Sequence, residues 1–412
     1  MTISIEMIPF SPPHISEEAI REVVDTLRSG WITTGPKTKK FEKELAAWCN
    51  NPITLCLNSA TAALEMMLRW LELQEGDEVI LPAYTYSATA NVVMHCGAKP
   101  VFVDTRPDDF NICVEAIQKA ISPATRVIMP VDFAGMPCDY DAIYRIVNDP
   151  TNLLLFQQGN PRGKFKELGR IFVLSDAAHS FGAYYHGQRT GNLADASAFS
   201  FHAVKNLTTA EGGALAFRLP TPFSNEEAYR DLCIKSLHGQ TKDALAKMQK
   251  GNWKYDIVEP GYKCNMTDIA AALGLVGLAQ YEETLSSRKK AVENYNRLLK
   301  DHNRFLRPLL QDENRTSAWH LYPLRIKGIS ADQRDAVMAK MFEADIAVNV
   351  HFVPLPLLSC YKELGYKMED FPVAYNNFST EISLPLFYGI TAEQQELVVY
   401  KLIEACNTCL PA

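Results

Sequence analysis

Three short stretches carry side chains suited to covalent and acid–base chemistry. In Phe199-Ser200-Phe201-His202-Ala203-Val204-Lys205, an apolar run gives way to small and hydroxyl residues and then to a lysine, and Glu211-Gly212-Gly213 closes the segment. A lysine just beyond a strand stands to be desolvated, which lowers the ammonium pKa and frees the amine to form an imine with a carbonyl carbon. The competing reading is a surface lysine that lays its methylenes along the protein and keeps its charge in water.

In Phe172-Val173-Leu174-Ser175-Asp176-Ala177-Ala178-His179, a carboxylate ends an apolar strand pattern. Buried and ionised, Asp176 needs a partner, because an unpaired charge in the interior costs several kcal/mol. A protonated pyridine nitrogen would serve, and so would the N–H groups of the turn that follows. His179 reads equally as a core histidine. The third stretch, Cys56-Leu57-Asn58-Ser59-Ala60-Thr61-Ala62-Ala63, runs from strand into helix. Backbone N–H groups and the positive end of the helix dipole make such a junction a phosphate site, and a plain N-cap by Asn58 or Ser59 is the alternative. No Walker or dinucleotide fingerprint is present, which disfavours a nucleoside triphosphate or NAD cofactor. A phosphate cradle, an acid for a ring nitrogen and an imine-forming lysine, in that order, together meet the needs of pyridoxal 5'-phosphate (PLP).

The elements that must position these residues form an α/β pattern. Strands are predicted at Ile53 to Leu57, Glu78 to Leu81, Pro100 to Val103, Arg126 to Met129 and Ile171 to Ser175, with helical periodicity between most of them, as in a mostly parallel sheet covered by helices. Their carboxyl ends carry polar or small residues, where ligands of open α/β sheets gather. Ser16 caps a predicted helix that stops at Ser29-Gly30. Farther on, a long helical pattern spans Glu282 to Lys300, strand-like runs occupy His320 to Ile326 and Ile346 to Val350, and Ser330 to Gln333 and Thr391 to Gln394 read as capping boxes. The division expected is a large domain over 1–245, with the N-terminal segment, and a smaller α+β domain over 246–412. The segment 148–166 reads as an inserted surface excursion.

The 412 residues carry 41 Lys+Arg against 48 Asp+Glu, a net charge of -7 that argues against general polyanion binding, so no nucleic-acid partner is expected. No run approaches the ~20 apolar residues of a membrane span and the start has no signal-peptide pattern, so a cytoplasmic protein without a membrane partner is expected. The ten cysteines sit mostly in apolar runs, as reduced core thiols do; Cys406-Asn407-Thr408-Cys409 lacks a second pair and reads as a helix-end coincidence, and no metal site is expected.

From Leu27-Arg28-Ser29-Gly30-Trp31-Ile32-Thr33-Thr34-Gly35-Pro36 through Ser-Phe-His-Ala-x-Lys to Asn349-Val350-His351-Phe352, the chain resembles the DegT/StrS-type sugar aminotransferases. That resemblance implies the fold-type I PLP-dependent transferase fold and an amino transfer from L-glutamate, through pyridoxamine phosphate, to a nucleotide-linked keto sugar. The 4-keto sugars of the 4-amino-4-deoxyarabinose or 4-amino-4,6-dideoxyhexose type are favoured, for surface glycan or lipopolysaccharide synthesis. The alternatives are 3-keto sugars, keto-cyclitols or a non-catalytic PLP-binding regulator. It further implies that Lys205 carries the cofactor, Asp176 pairs with its ring nitrogen, His179 lies near its phenolic oxygen, Ser59, Ala60, Thr61 and Ser200 bind phosphate, and Tyr86 stacks on the ring. Lys263, in a segment that reaches the neighbouring subunit's phosphate, makes the expected assembly a homodimer with shared active sites. Thr34, Tyr86, Lys263 and His351 are the expected substrate contacts.

Overall fold

The computed structural model describes residues 7–242 and 254–410. Seven strands build the central sheet: β1 (Ile53–Leu57), β2 (Glu78–Pro82), β3 (Lys99–Val103), β4 (Thr125–Ile128) and β5 (Phe172–Asp176), then, after a two-residue pair β6 (Tyr184–Tyr185) and β7 (Gln188–Arg189), β8 (Ala196–Ser200) and β9 (Gly213–Phe217). Their order is β1-β9-β8-β5-β4-β2-β3. Every neighbouring pair from β8 to β3 is parallel, and β9 alone runs against both of its neighbours. Near-continuous apolar strands such as Val79-Ile80-Leu81 are buried on both faces, as helix-covered parallel strands must be. This direction puts the carboxyl ends of β1, β5 and β8 on one edge. Because Gly213 stands opposite both Leu57 and Ser200, the amino end of β9 is there too.

Local chemistry accounts for the helices that lead to this edge. Ser16 accepts from the Ala19 N–H at the start of Glu17–Ser29, and Gly30 takes the left-handed conformation, φ 75°, that ends it. Both expected capping boxes form, at Ala331–Glu343 and Ala392–Cys409. After Tyr281–Leu298 come β10 (Phe305–Leu306), β11 (Arg315–Thr316), β12 (Tyr322–Ile326) and β13 (Glu381–Leu384); β10, β12 and β13 form a second, antiparallel sheet, while β11 joins β6 and β7.

Two expectations need correction, the strand at Ile346 to Val350 and the surface excursion at 148–166. The run Ile346 to Val350 forms no strand: single bridges hold it, Ile346 to Ile8 and Asn349 to Ser383, so its buried Ile346 and Val348 produce a strand-like alternation without a ladder. The N-terminal segment is bonded to the C-terminal part of the chain, with Ile8 N–H donating to the Asp345 carbonyl at 2.9 Å and Leu386 N–H to the Phe10 carbonyl at 3.1 Å. The 148–166 segment is more than a surface excursion. It contains the helices Pro150–Gln158 and Gly163–Leu168, whose Phe156 and Phe165 are buried in the main core, and Arg126 clamps it by stacking on Phe156 and donating to the Gly159 carbonyl at 2.8 Å. The domain boundary expected at 245/246 lies outside the described residues. Cys406 and Cys409 are free thiols at the end of the last helix, and among the described residues no His, Cys, Asp and Glu group suits a metal ion. Nor is any described helix long and apolar enough to cross a membrane.

Candidate active site

A cavity of about 510 Å³ opens at the carboxyl edge of the sheet, a volume typical of small-molecule sites. Ser59, Ala60, Thr61, Tyr86, Asp176, His179, Ser200, Lys205 and His351 all line it, although they come from five separate parts of the chain. Thr34 and Lys263 do not line it. They lie in a polar chain on the outside, where Lys263 Nζ donates to Asn265 and the Asn265 amide donates to the Thr34 hydroxyl.

On one side of the cavity, Ser59 is the N-cap of Ala60–Trp70, and its hydroxyl and carbonyl take the N–H groups of Ala62 and Ala63. The N–H groups of Ala60 and Thr61, earlier in that first turn, have no intrahelical partner to bond. Gly213 allows the turn to sit tight against β9: a methyl group on its Cα would come within 2.4 Å of both the Ala60 nitrogen and the Ser59 carbonyl carbon.

Asp176, at the end of β5, is buried and accepts from Thr89 Oγ1 at 2.8 Å and from the Ala178 N–H at 3.2 Å. Burial raises its pKa, and these two bonds and the charge of Lys205 pull it back. An ionised carboxylate accepts about four hydrogen bonds, so the group has room for a further donor. Lys205 lies in the loop that joins β8 to β9. Desolvation brings its pKa down to about 8 against the attraction of Asp176.

The opposite side comes from sequence positions far from these motifs. Phe10 and Ser11 of the N-terminal segment, His320 and Leu321, and His351 and Phe352 line the cavity, and Ser11 Oγ donates to the Val204 carbonyl at 3.4 Å. His179 and His320 lie 4.5 Å apart between ring centroids, and His320 Nδ1 is bonded to Asn206 Oδ1 at 3.0 Å. Burial holds both rings neutral, well below the usual histidine range, as it does His351, at about 3. Buried Arg288 fixes this wall by donating to the carbonyls of Trp319, His320 and Leu386 at 2.8, 2.6 and 3.0 Å. Phe10, Ser11, His320, Arg288 and Thr89 were not among the expected site residues; only the family resemblance of Ala318 to Leu321 touched any of them.

The residues present fit PLP on three structural grounds: free N–H groups at a helix start for the phosphate, a buried carboxylate with spare acceptor capacity, and a desolvated lysine in the same cavity. The buried His179 Nδ1, which has no hydrogen-bond partner among the described residues, marks a further polar position that a bound group would satisfy.

Residues 13–157 and 165–403 match the model of the DegT/DnrJ/EryC1/StrS aminotransferase family. The fold is similar to that of Spr1654 of Streptococcus pneumoniae, assigned as a sugar aminotransferase, whose pyridoxamine phosphate form aligns with a TM-score of 0.93 at 47% identity, over 98% of this chain and 100% of that one. The protein MJ1066 of Methanocaldococcus jannaschii is 39% identical over 390 residues, 93% of this chain and 94% of its own length. The spore coat polysaccharide biosynthesis protein SpsC of Bacillus subtilis is 36% identical over 396 residues, 95% of each. The chain is a fold-type I, PLP-dependent aminotransferase. It belongs to the DegT/DnrJ/EryC1/StrS family.

Proposed function

We propose that this aminotransferase carries the amino group of L-glutamate to the keto carbon of a nucleotide-linked 4-keto sugar, of the 4-amino-4-deoxyarabinose or 4-amino-4,6-dideoxyhexose type, for surface glycan or lipopolysaccharide synthesis. It does so as a cytoplasmic homodimer with shared active sites. The observation that carries the reading is the convergence of Lys205, Asp176 and the Ser59–Thr61 turn in one cavity whose far wall is neutral and rich in hydrogen-bonding groups. Neutral imidazoles suit the hydroxyls of a sugar ring, and the names borne by Spr1654 and SpsC point the same way. The 4-keto position rests on the resemblance of Phe199 to Gly213, Val258 to Asp268 and Ala318 to Leu321.

When bound, PLP supplies an electrophilic aldehyde and a ring that delocalises the electron pair left by deprotonation. The chain supplies the rest. With its pKa lowered by desolvation to about 8, Lys205 favours its neutral amine far more than an unperturbed lysine does. It therefore serves as the base that takes the proton from the alpha carbon of glutamate and later returns one to the carbon of the new amine. Asp176, steadied by Thr89, holds a proton on the pyridine nitrogen. Ser59, Ala60, Thr61 and Ser200 would bind the phosphate, Tyr86 would cover the ring and His179 would serve its phenolic oxygen. His351 contacts the acceptor, and Thr34 and Lys263 serve the neighbouring subunit's cavity.

Mass spectrometry of the products from glutamate and a panel of nucleotide-linked 3-keto and 4-keto sugars tests the proposal. An amino sugar formed only from 4-keto members is expected. Product from 3-keto members alone, or from none, overturns it.

A further inference from the structure

Behind His351 lies a buried carboxyl that the proposed chemistry does not use. Glu381 and Ser383, on β13, are both fully buried. Glu381 Oε2 accepts from the His351 N–H at 3.0 Å, while Ser383 Oγ donates to Glu381 Oε1 at 2.5 Å and lies 2.8 Å from His351 Nδ1. A hydroxyl has one proton. Burial pushes the pKa of the Glu381 carboxyl up to about 8, so above that pH the carboxylate takes the Ser383 proton in a hydrogen bond, the Ser383 oxygen is left to accept, and Nδ1 must carry a hydrogen. The other ring nitrogen supports the same assignment. Asn349 Oδ1 accepts from the Val350 N–H at 2.8 Å, which orients the amide and turns its NH₂ group toward His351 Nε2, 3.5 Å away. Facing a donor, Nε2 is an acceptor.

We propose that ionised Glu381 and Ser383 are positioning residues that lock the neutral His351 ring with Nδ1 protonated, so that Nε2 accepts a hydrogen bond from a hydroxyl of the acceptor substrate. The hydroxyl-bearing partner rests on the sugar reading above; the locked tautomer does not. A hydrogen bond to a buried acceptor selects for a substrate that donates at that position, since an analogue lacking the hydroxyl leaves Nε2 only the long contact with the Asn349 amide, 3.5 Å away.

The direct test is the ¹⁵N spectrum of protein labelled at histidine, loaded with PLP, with the His351 signals identified by their loss in His351→Asn. With the spectrum taken above about pH 8, where Glu381 is ionised, a protonated Nδ1 and a bare Nε2 are expected, and the reverse overturns the proposal. In Glu381→Gln the new amide competes as a donor, so a mixed or reversed tautomer is expected; an unchanged one removes Glu381 from the role. Should that variant not fold, Ser383→Ala carries the same test, since it deletes the group that accepts the Nδ1 proton. Kinetically, Ser383→Ala should raise KM for the accepted ketone by about tenfold, the loss of one well-placed hydrogen bond, and leave the glutamate half-reaction within about twofold. Equal losses in both halves would assign Ser383 to structure only. If no sugar is turned over, the functional reading fails, and the spectrum alone still decides the tautomer.

Discussion

Thr89 Oγ1 donates to Asp176 Oδ2 at 2.8 Å and is itself 2.9 Å from Thr85 Oγ1, so two hydroxyls of the Tyr84-Thr85-Tyr86 turn and its helix feed hydrogen bonds toward one buried carboxylate. Donation to the ionised form lowers the pKa of Asp176. Thr89→Val keeps the shape and deletes the donor, so Asp176 will ionise at higher pH. The acid limb of the kcat profile should move upward, and kcat at neutral pH should fall by about tenfold or more, as for a lost bond to a charged group. A profile that overlays the wild type would show that Thr89 only fills space.

The amine of Lys205 should govern how PLP is captured by the apoprotein. Capture needs the neutral form, so its rate should rise with pH and level off above about 8. The charge of Asp176 holds that midpoint up, and Asp176→Asn should therefore shift it to lower pH. Stopped-flow absorbance of PLP binding measures both. An upward shift in the variant contradicts the assignment, as does borohydride labelling of any peptide other than the one with Lys205.

Gly213→Ala places a methyl group where only 2.4 Å separates it from the backbone of Ser59 and Ala60. Backbone cannot yield as a flexible side chain does, so the turn must back away from β9. PLP affinity, read by fluorescence titration, is expected to weaken by about tenfold or more, roughly 1.4 kcal/mol. Unchanged affinity in a folded variant would move the phosphate site elsewhere.

Shared sites predict complementation. Cys264, beside Lys263, accepts from the Asn58 N–H at 2.8 Å, so the segment is anchored beside the cradle of its own chain, yet Lys263 stays exposed and off that cavity. Lys205→Ala and Lys263→Glu, each inactive alone, should on mixing recover up to about a quarter of wild-type activity, since half the dimers then carry one intact site in two. Full activity of Lys263→Glu by itself, or no recovery after proven subunit exchange, would refute the arrangement.

The half of the cavity that carries reactive groups was legible in the sequence because each of its parts is local: a strand end and the next few residues place Asp176, Ser200 or Ser59 without reference to the rest of the chain. The five strands β1 to β5 were legible for the same reason, as short apolar runs with polar ends. The other wall was not. Phe10 reaches the cavity because it is bonded to Leu386, and His320 because Arg288, 32 residues earlier, holds its carbonyl. No periodicity reports such pairings. Ile346 to Val350 misled for a related reason: alternation reflects burial, and burial does not require a ladder.

The loop from 201 to 212 leaves β8 and returns on β9, strands paired residue for residue up to Ser200 and Gly213. Its two ends are therefore clamped together, and the amine is tied to the same rigid frame as the helix start beside Gly213. The histidine wall has further supports of its own, Arg288, β13 and the N-terminal segment, and meets the loop where His320 is bonded to Asn206. The enzyme thus pairs a fixed workbench with a jig fastened to it at one side: on the function proposed above, substitutions in the jig should change which ketone is held, while the workbench should continue to exchange nitrogen with the same donor.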